Sequence, residues 1–236
     1  VSGEPGTLPV PALEVLPATA TTAAGTRSLV GGGGLVVGVD DAGLPVVLSL
    51  FRSEPTAAVC LGGLGLVQRL VLRAMALGAV VSIESDRPSA WTALVRLAAA
   101  DGQVVVVPHD RGRQAPAGDE QPGTPGRPRL LVLDGDAAAA GDSRRAGRWS
   151  AVLTCVDSTH EWGRGALGSA DVVVSRPLSR TEARQLARVL NLDETLLRST
   201  GRDDALLLAS RAGVVQVQHR VTGVEQWLVG AATGRG

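Results

Sequence analysis

The sequence contains no lysine and no tyrosine, one phenylalanine (Phe51), one methionine and two cysteines. Without lysine there is no P-loop lysine to reach a terminal phosphate, no Schiff-base lysine and no lysine general base. An aromatic content of 2% is too thin for a platform on which single-stranded nucleic acid stacks. Nor is one sign of charge in excess. The basic residues, all arginine, number 23 and the acidic residues 23, a formal net charge of zero, which removes the electrostatic footprint of a nucleic-acid binder. Two cysteines allow at most one disulfide, unlike a densely stapled secreted domain. Cys60 and Cys155 each fall inside an apolar run and are expected as reduced, buried core residues. The most apolar stretch, Leu64 to Val81, is broken by Gln68, Arg69, Arg73 and Gly78 and is not expected to span a membrane.

What is present suffices for a core: 236 residues, 44% hydrophobic against 19% charged, the size of one domain with an arm. Residues 1–34, ending in Gly31-Gly32-Gly33-Gly34, predict a flexible N-terminal arm or linker; residues 35–230 predict a single α/β domain, and 231–236 a tail. The first residue is Val1 and not Met, as expected of a piece of a longer protein. Membrane contact is therefore expected only through a segment outside these residues.

Leu35 to Val39 and Leu44 to Leu50 are β-rich runs joined by Asp40-Asp41-Ala42-Gly43, which predicts an opening hairpin. From Thr56 the rhythm becomes strand, helix, strand. Ala57 to Leu61 reads as a buried strand, Gly62-Gly63-Leu64-Gly65 as a tight turn, Leu66 to Leu77 as a helix on a sheet closed by Gly78, and Ala79 to Ile83 as the next strand. Pro88 opens a helix with Trp91, Leu94, Val95 and Ala98 on one face, and strand Gln103 to Val107 follows. The Pro- and Gly-rich residues 108–129 predict a long mobile loop beside the turn that holds Asp134.

Arg129 to Leu133, Ala151 to Val156 and Asp171 to Ser175 are short, continuously apolar strands, with a short helix between the last two near Thr159 to Leu167. Ser179 and Glu182 match a capping box ahead of a helix from Thr181 to Leu190, and a second short helix runs from Asp193 to Ser199. Ala205 to Ser210, Val214 to His219 and Gln226 to Val229 read as antiparallel strands, with turns at Arg211-Ala212-Gly213 and Thr222-Gly223. The fold class expected is α/β. A mainly parallel sheet is flanked by helices, Rossmann-like or P-loop-like, with a leading β-hairpin and C-terminal antiparallel strands.

Two places could carry chemistry. The turn after Cys60-Leu61 puts Gly63 and Gly65 where a dinucleotide fold brings backbone to pyrophosphate, and Glu84 ends the next strand, where an acid binds ribose hydroxyls. Gln68 stands at the third glycine position, so the match is partial, and the structural alternative is a glycine turn with no ligand. Read as a P-loop, the same turn lacks both the lysine and the Ser or Thr that binds Mg²⁺, so no ATP hydrolysis and no enzyme activity is expected. Leu130 to Leu133 ends in Asp134-Gly135-Asp136, a placement that suits a metal ligand of a sugar-nucleotide transferase or simply a solvated turn. His109, His160 and His219 have no paired spacing for zinc. Arg144, Arg145 and Arg148 beside Trp149 form a basic cluster, either a solvated face or a docking patch anchored by the Trp.

The run from Val37 to Leu50 leading into a strand and a Gly-rich turn resembles the hairpin ahead of the nucleotide loop in FtsK-like motor ATPases, including the ATPase of actinobacterial type VII secretion. Leu130 to Gly135 resembles their acid-tipped strand. The lysine-free, Arg- and Ala-rich composition resembles that of a high-GC actinobacterium. The phosphate lysine and magnesium hydroxyl of the motors have no counterpart here. The resemblance, which covers roughly Leu35 to Val156, therefore implies a degenerate nucleotide fold kept for assembly, similar to the cytosolic domain of the E component of type VII secretion, a membrane-anchored partner of the motor. It implies other protein subunits of a secretion or membrane assembly as partners, no nucleic acid, a place on the cytoplasmic side of the membrane, and no cofactor, metal or catalytic residue. A dinucleotide-binding protein or enzyme using Gly63, Gly65 and Glu84, and a metal-dependent transferase using Asp134 and Asp136, stand as alternatives.

Overall fold

The computed structural model describes residues 34–108, 122–135, 146–156, 164–198 and 205–232. Its strands are β1 (Leu35–Val39), β2 (Pro45–Leu48), β3 (Thr56–Leu61), β4 (Val80–Ser85), β5 (Val104–Pro108), β6 (Arg129–Asp134), β7 (Ser150–Cys155), β8 (Val172–Ser175), β9 (Ala205–Ser210) and β10 (Gly213–Gln218). Its helices are α1 (Leu64–Ala76), α2 (Thr92–Ala98, entered through a 3₁₀ turn at Pro88–Trp91), α3 (Arg164–Ser169), α4 (Arg180–Leu190, followed by a 3₁₀ turn at Glu194–Leu197) and α5 (Gly223–Ala232). The strands form one ten-stranded sheet in the order β2-β1-β10-β9-β8-β3-β7-β6-β4-β5. From β8 to β5 neighbouring strands run parallel, and from β8 back to β2 they run antiparallel. This is the α/β class expected.

The local reasons are legible. In the β1–β2 hairpin, Asp40 Oδ1 accepts from the amides of Ala42 (2.9 Å) and Leu44 (2.8 Å), and Gly43 takes φ 79°, the chemistry of an Asx turn with a glycine at positive φ. Strands β3 and β7 lie mid-sheet, and β7 is buried at every position, as a parallel strand covered on both faces must be. Alternate residues of β3 divide the core. Ala58 and Cys60 join α1 and the Trp91–Leu94 turn on one face, while Val59 and Leu61 join α3 and α4 on the other.

Three expectations need correction. Gln226 to Val229 is not a strand but the middle of α5. Thr222 Oγ1 accepts from the Glu225 amide (3.2 Å) and the Glu225 carboxylate accepts from the Thr222 amide (2.8 Å), so the residues read as a turn are a capping box. Second, the Pro- and Gly-rich segment lies at the Asp134 end only where it begins: Pro108 of β5 is in register with Ser85, and Ser85 with Asp134. Gly123 donates to Arg148 O (2.8 Å) and Ser150 Oγ (3.1 Å), which places it where β6 and β7 begin, at the opposite end of the strands; residues 109–121 lie outside the described residues. Third, the segment from Asp193 is one 3₁₀ turn, capped by Asp193 Oδ1 on the Thr195 amide (2.8 Å). Among the described residues no helix is long and apolar enough to cross a membrane.

Candidate functional site

The Gly62-to-Gly65 turn joins the mid-sheet strand β3 to α1. Gly63 is the N-cap residue at φ 71°, and a Cβ added there would meet nothing within 4 Å; its carbonyl accepts from the amides of Leu66 (3.2 Å) and Val67 (3.3 Å). Gly62 is crowded, since a Cβ would fall 2.2 Å from Leu66 Cδ2. Gly65 faces α5, where the Val229 Cγ1 methyl lies 3.4 Å from an added Cβ. Gln68 is fully buried and donates to Ala90 O at 2.8 Å, which ties α1 to the 3₁₀ turn, while its Oε1 has no partner among the described residues. Ser175, beside Leu61 in the sheet, likewise holds a buried Oγ without a partner. The turn is short, with Gly62 and Gly63 alone between β3 and α1. Leu66 and Val67 point into the core where a metal-binding hydroxyl is required.

Asp134, at the tip of β6, is fully buried. Its carboxylate accepts from Ser85 Oγ (2.8 Å), Trp91 Nε1 (2.9 Å) and Arg87, whose Nε lies 3.1 Å from Oδ2 and whose Nη2 binds Oδ1. Register places Ser85 directly opposite on β4, and Pro88 begins the 3₁₀ turn that delivers Trp91. Burial pushes the carboxyl pKa up, but hydrogen bonds from Arg87, Trp91 and Ser85 outweigh it and hold the group below the ordinary carboxylate range. With these donors in place Asp134 is a buried carboxylate whose ion pair and hydrogen bonds are made within the fold. Gly135 at φ 65° follows because Asp86 Oδ1 lies 1.9 Å from where a Cβ would be. Asp136 lies outside the described residues.

The dinucleotide reading fails on strand order. Glu84 is buried in β4, and β7 and β6 lie between β4 and β3. At about 4.8 Å per strand spacing it is roughly 14 Å from the glycine turn. The residues present therefore do not fit a dinucleotide across Gly63, Gly65 and Glu84. Cys60 and Cys155 are buried and stand opposite each other in register across β3 and β7. Arg144 and Arg145 lie outside the described residues. Trp149 is half-buried at φ 53°, its amide donating to Arg52 O at 2.8 Å.

Sequence reasoning missed a polar cluster that fastens α5. Arg73 on α1 donates to Val36 O (2.8 Å), Arg220 O (2.6 Å) and both carboxylate oxygens of Glu225. Burial raises the Glu225 pKa, but the bonds from Arg73 and the Thr222 amide lower it further. Burial, then the charges of Arg73 and Arg69, push His219 down to about 4. The signal that could have revealed the cluster was Thr222-Gly223-Val224-Glu225, the same capping pattern as Ser179 to Glu182. Among the described residues the most exposed aromatic is Trp227 on α5.

No family model matches the chain, and no curated protein matches it in sequence. Solved structures do. VirB4 of Thermoanaerobacter pseudethanolicus is 9% identical over 83% of this chain and 98% of its own, with a TM-score of 0.51. The pCW3 conjugation coupling protein TcpA in monomer form with ATPgS is 10% identical over 97% and 75%, TM-score 0.49. The genome packaging NTPase B204 from Sulfolobus turreted icosahedral virus 2 in complex with ATP-gammaS is 7% identical over 72% and 98%, TM-score 0.44. At such identities the likeness is one of fold, to components of secretion, conjugation and packaging machinery. It corrects the expectation that the chain is no enzyme, because the fold shared with VirB4 is of the ATPase type. The absence of lysine removes one phosphate contact, which arginine can also supply, and does not decide the class.

Proposed function

We propose that residues 35–230 serve as an assembly domain of a protein secretion apparatus, built on a nucleotide fold with a degenerate phosphate turn. We place it on the cytoplasmic side of a membrane in the manner of the E component of actinobacterial type VII secretion. The observation that carries this reading is the state of Asp134: the acid at the tip of β6 is ion-paired to Arg87 and closed over by Trp91 and Ser85. Two further features support it. α5 sits against Gly65 through Val229, and the fold is shared with parts of secretion and conjugation machinery. The partners are other subunits of that apparatus.

The test is to capture the tagged full chain from an actinobacterial host after crosslinking and to probe for the motor and membrane subunits of type VII secretion. Co-capture of those subunits is expected, and a chain recovered free of them contradicts the reading. Hydrolysis of ATP is measured on the same material, and thermal melting with ATP and Mg²⁺ tests the turn itself. A nucleotide at a hundred times its dissociation constant adds about 2.7 kcal/mol of stability. Such a gain, abolished by Gly63→Ala, overturns the degenerate turn.

A further inference from the structure

Helix α4 carries Arg180, Arg184 and Arg188 at successive turns on its exposed face, and Arg198 follows from the 3₁₀ turn. Glu194 stands among them, 4.0 Å from Arg180, 3.2 Å from Arg184 and 3.3 Å from Arg198. One half-buried carboxylate thus fans out three guanidinium groups, and the hydrogen bonds from Arg184 and Arg198 hold its pKa below the ordinary range. The other acids here are committed elsewhere. Asp193 caps the 3₁₀ turn and Glu182 is paired with Arg176. Among the described residues Arg188 makes no ion pair. In a chain of zero formal net charge this is a local cationic excess.

A shallow open groove runs between these side chains, lined by Arg184, Ala187, Arg188, Asn191, Leu192 and Glu194. Its lining is mainly polar, with Ala187 buried beneath it and Leu192 partly exposed at its edge, and Leu196 stands half exposed on the adjoining turn. We propose that this groove docks an acidic amphipathic α-helix of a partner protein. The pitch agrees: arginines four residues apart are about 6 Å apart along the axis, the same rise that separates carboxylates at i and i+4 on a partner helix. Guanidinium forks grip carboxylates in bidentate fashion. The exposed Leu196 and the edge of Leu192 take the leucines of an amphipathic segment, for which a sugar-phosphate backbone has no counterpart, so the surface favours protein over nucleic acid. The inference rests on the assembly reading and names the chemistry of one partner.

The test uses the full chain and a fluorescein-labelled synthetic peptide with Glu at every fourth position and Leu on the adjoining stripe, followed by anisotropy. A peptide of the same composition with Glu spread round the helix, a duplex DNA of random sequence and vesicles containing phosphatidylserine serve as competitors. The patterned peptide is expected to bind, with affinity falling as salt rises. Arg184→Glu with Arg188→Glu is expected to weaken binding about tenfold or more, through charge reversal at the contact. Should those charges perturb folding, Arg184→Ala with Arg188→Ala gives the same direction. Glu194→Gln removes the internal competitor and is expected to tighten binding. Equal binding by the reversed variant, equal binding of the scrambled peptide, or stronger competition by DNA or vesicles overturns the inference. If the reversed variant still assembles with the secretion subunits, the groove fails and the assembly reading stands. If the wild type binds the peptide through these arginines but never meets the apparatus, the assembly reading fails alone.

Discussion

The tips of β3 and β6 sit at the same end of the sheet with only β7 between them, yet they hold their polar groups in opposite ways. At β6 a carboxylate is fully buried and saturated by Ser85, Arg87 and Trp91. At β3 the strand runs into a glycine backbone turn flanked by two buried polar atoms without partners among the described residues, Gln68 Oε1 and Ser175 Oγ. A buried charge must be paired, so the neighbours of Asp134 determine its role. A glycine turn is determined by backbone φ and by whatever packs over it, here α5. Similar strand-tip motifs therefore reach different ends for reasons outside the motif.

The largest expected effect is at β6. Asp134→Ala leaves Arg87, Trp91 and Ser85 without their acceptor and is expected to cost about 3 kcal/mol, roughly 10 °C in melting temperature for a chain of this size; a calorimetric loss under about 1 kcal/mol breaks the contrast. The pH dependence has a defined sign. The folded carboxyl lies below its ordinary 3.8, so its stabilisation is present above that value and fades as pH falls through the lower folded value. Asp134→Asn flattens that acid limb.

Next in size is the fastening of α5 over the β3 turn. Glu225→Gln weakens the pair with Arg73, in which both side chains are largely buried, and is expected to cost about 2 kcal/mol. His219 adds a second window. Its folded pKa of about 4 lies below the ordinary 6.5, so the unfolded chain binds the proton first. Stability contributed by the neutral imidazole falls as pH drops from 6.5 toward 4, and His219→Asn removes that slope in a series of melts. An unchanged slope in the variant would show that another group titrates there.

Smaller effects sharpen the contrast. Ser179→Ala removes an N-cap that accepts from Glu182 N at 3.3 Å and is expected to cost about 1 kcal/mol by urea denaturation. Gly63→Ala puts a Cβ at φ 71° and is expected to cost about 1 kcal/mol. Gly65→Ala meets only Val229 Cγ1 at ordinary contact distance and is expected to leave stability nearly unchanged. A Gly65 variant worse than the Gly63 variant contradicts the assignment of strain to Gly63.

The layered α/β plan was readable because strands β3 to β8 are short apolar runs separated by helices with narrow polar faces, a pattern that burial enforces residue by residue. The capping box at Ser179 was read correctly. The identical signal at Thr222 was passed over because the apolar run after it is short and follows two real strands. At the candidate site, the residue types at Gly63, Gly65, Glu84 and Asp134 were visible, but their roles were not. Strand order, which puts β7 and β6 between Glu84 and the turn, is set by long-range pairing that no local pattern encodes. The partners of Asp134 come from 43 to 49 residues away, and the Arg73–Glu225 pair spans 152, so neither could be found by spacing.

The claim that the β6 acid serves the fold is tested most directly by melting the wild type and Asp134→Asn with and without Mn²⁺ and ATP. The account predicts that the variant melts well below the wild type by the same margin in every condition, because the carboxylate is already occupied by Arg87, Trp91 and Ser85. A wild type that gains stability from the metal and nucleotide, with the gain absent in Asp134→Asn, contradicts it and makes Asp134 a ligand.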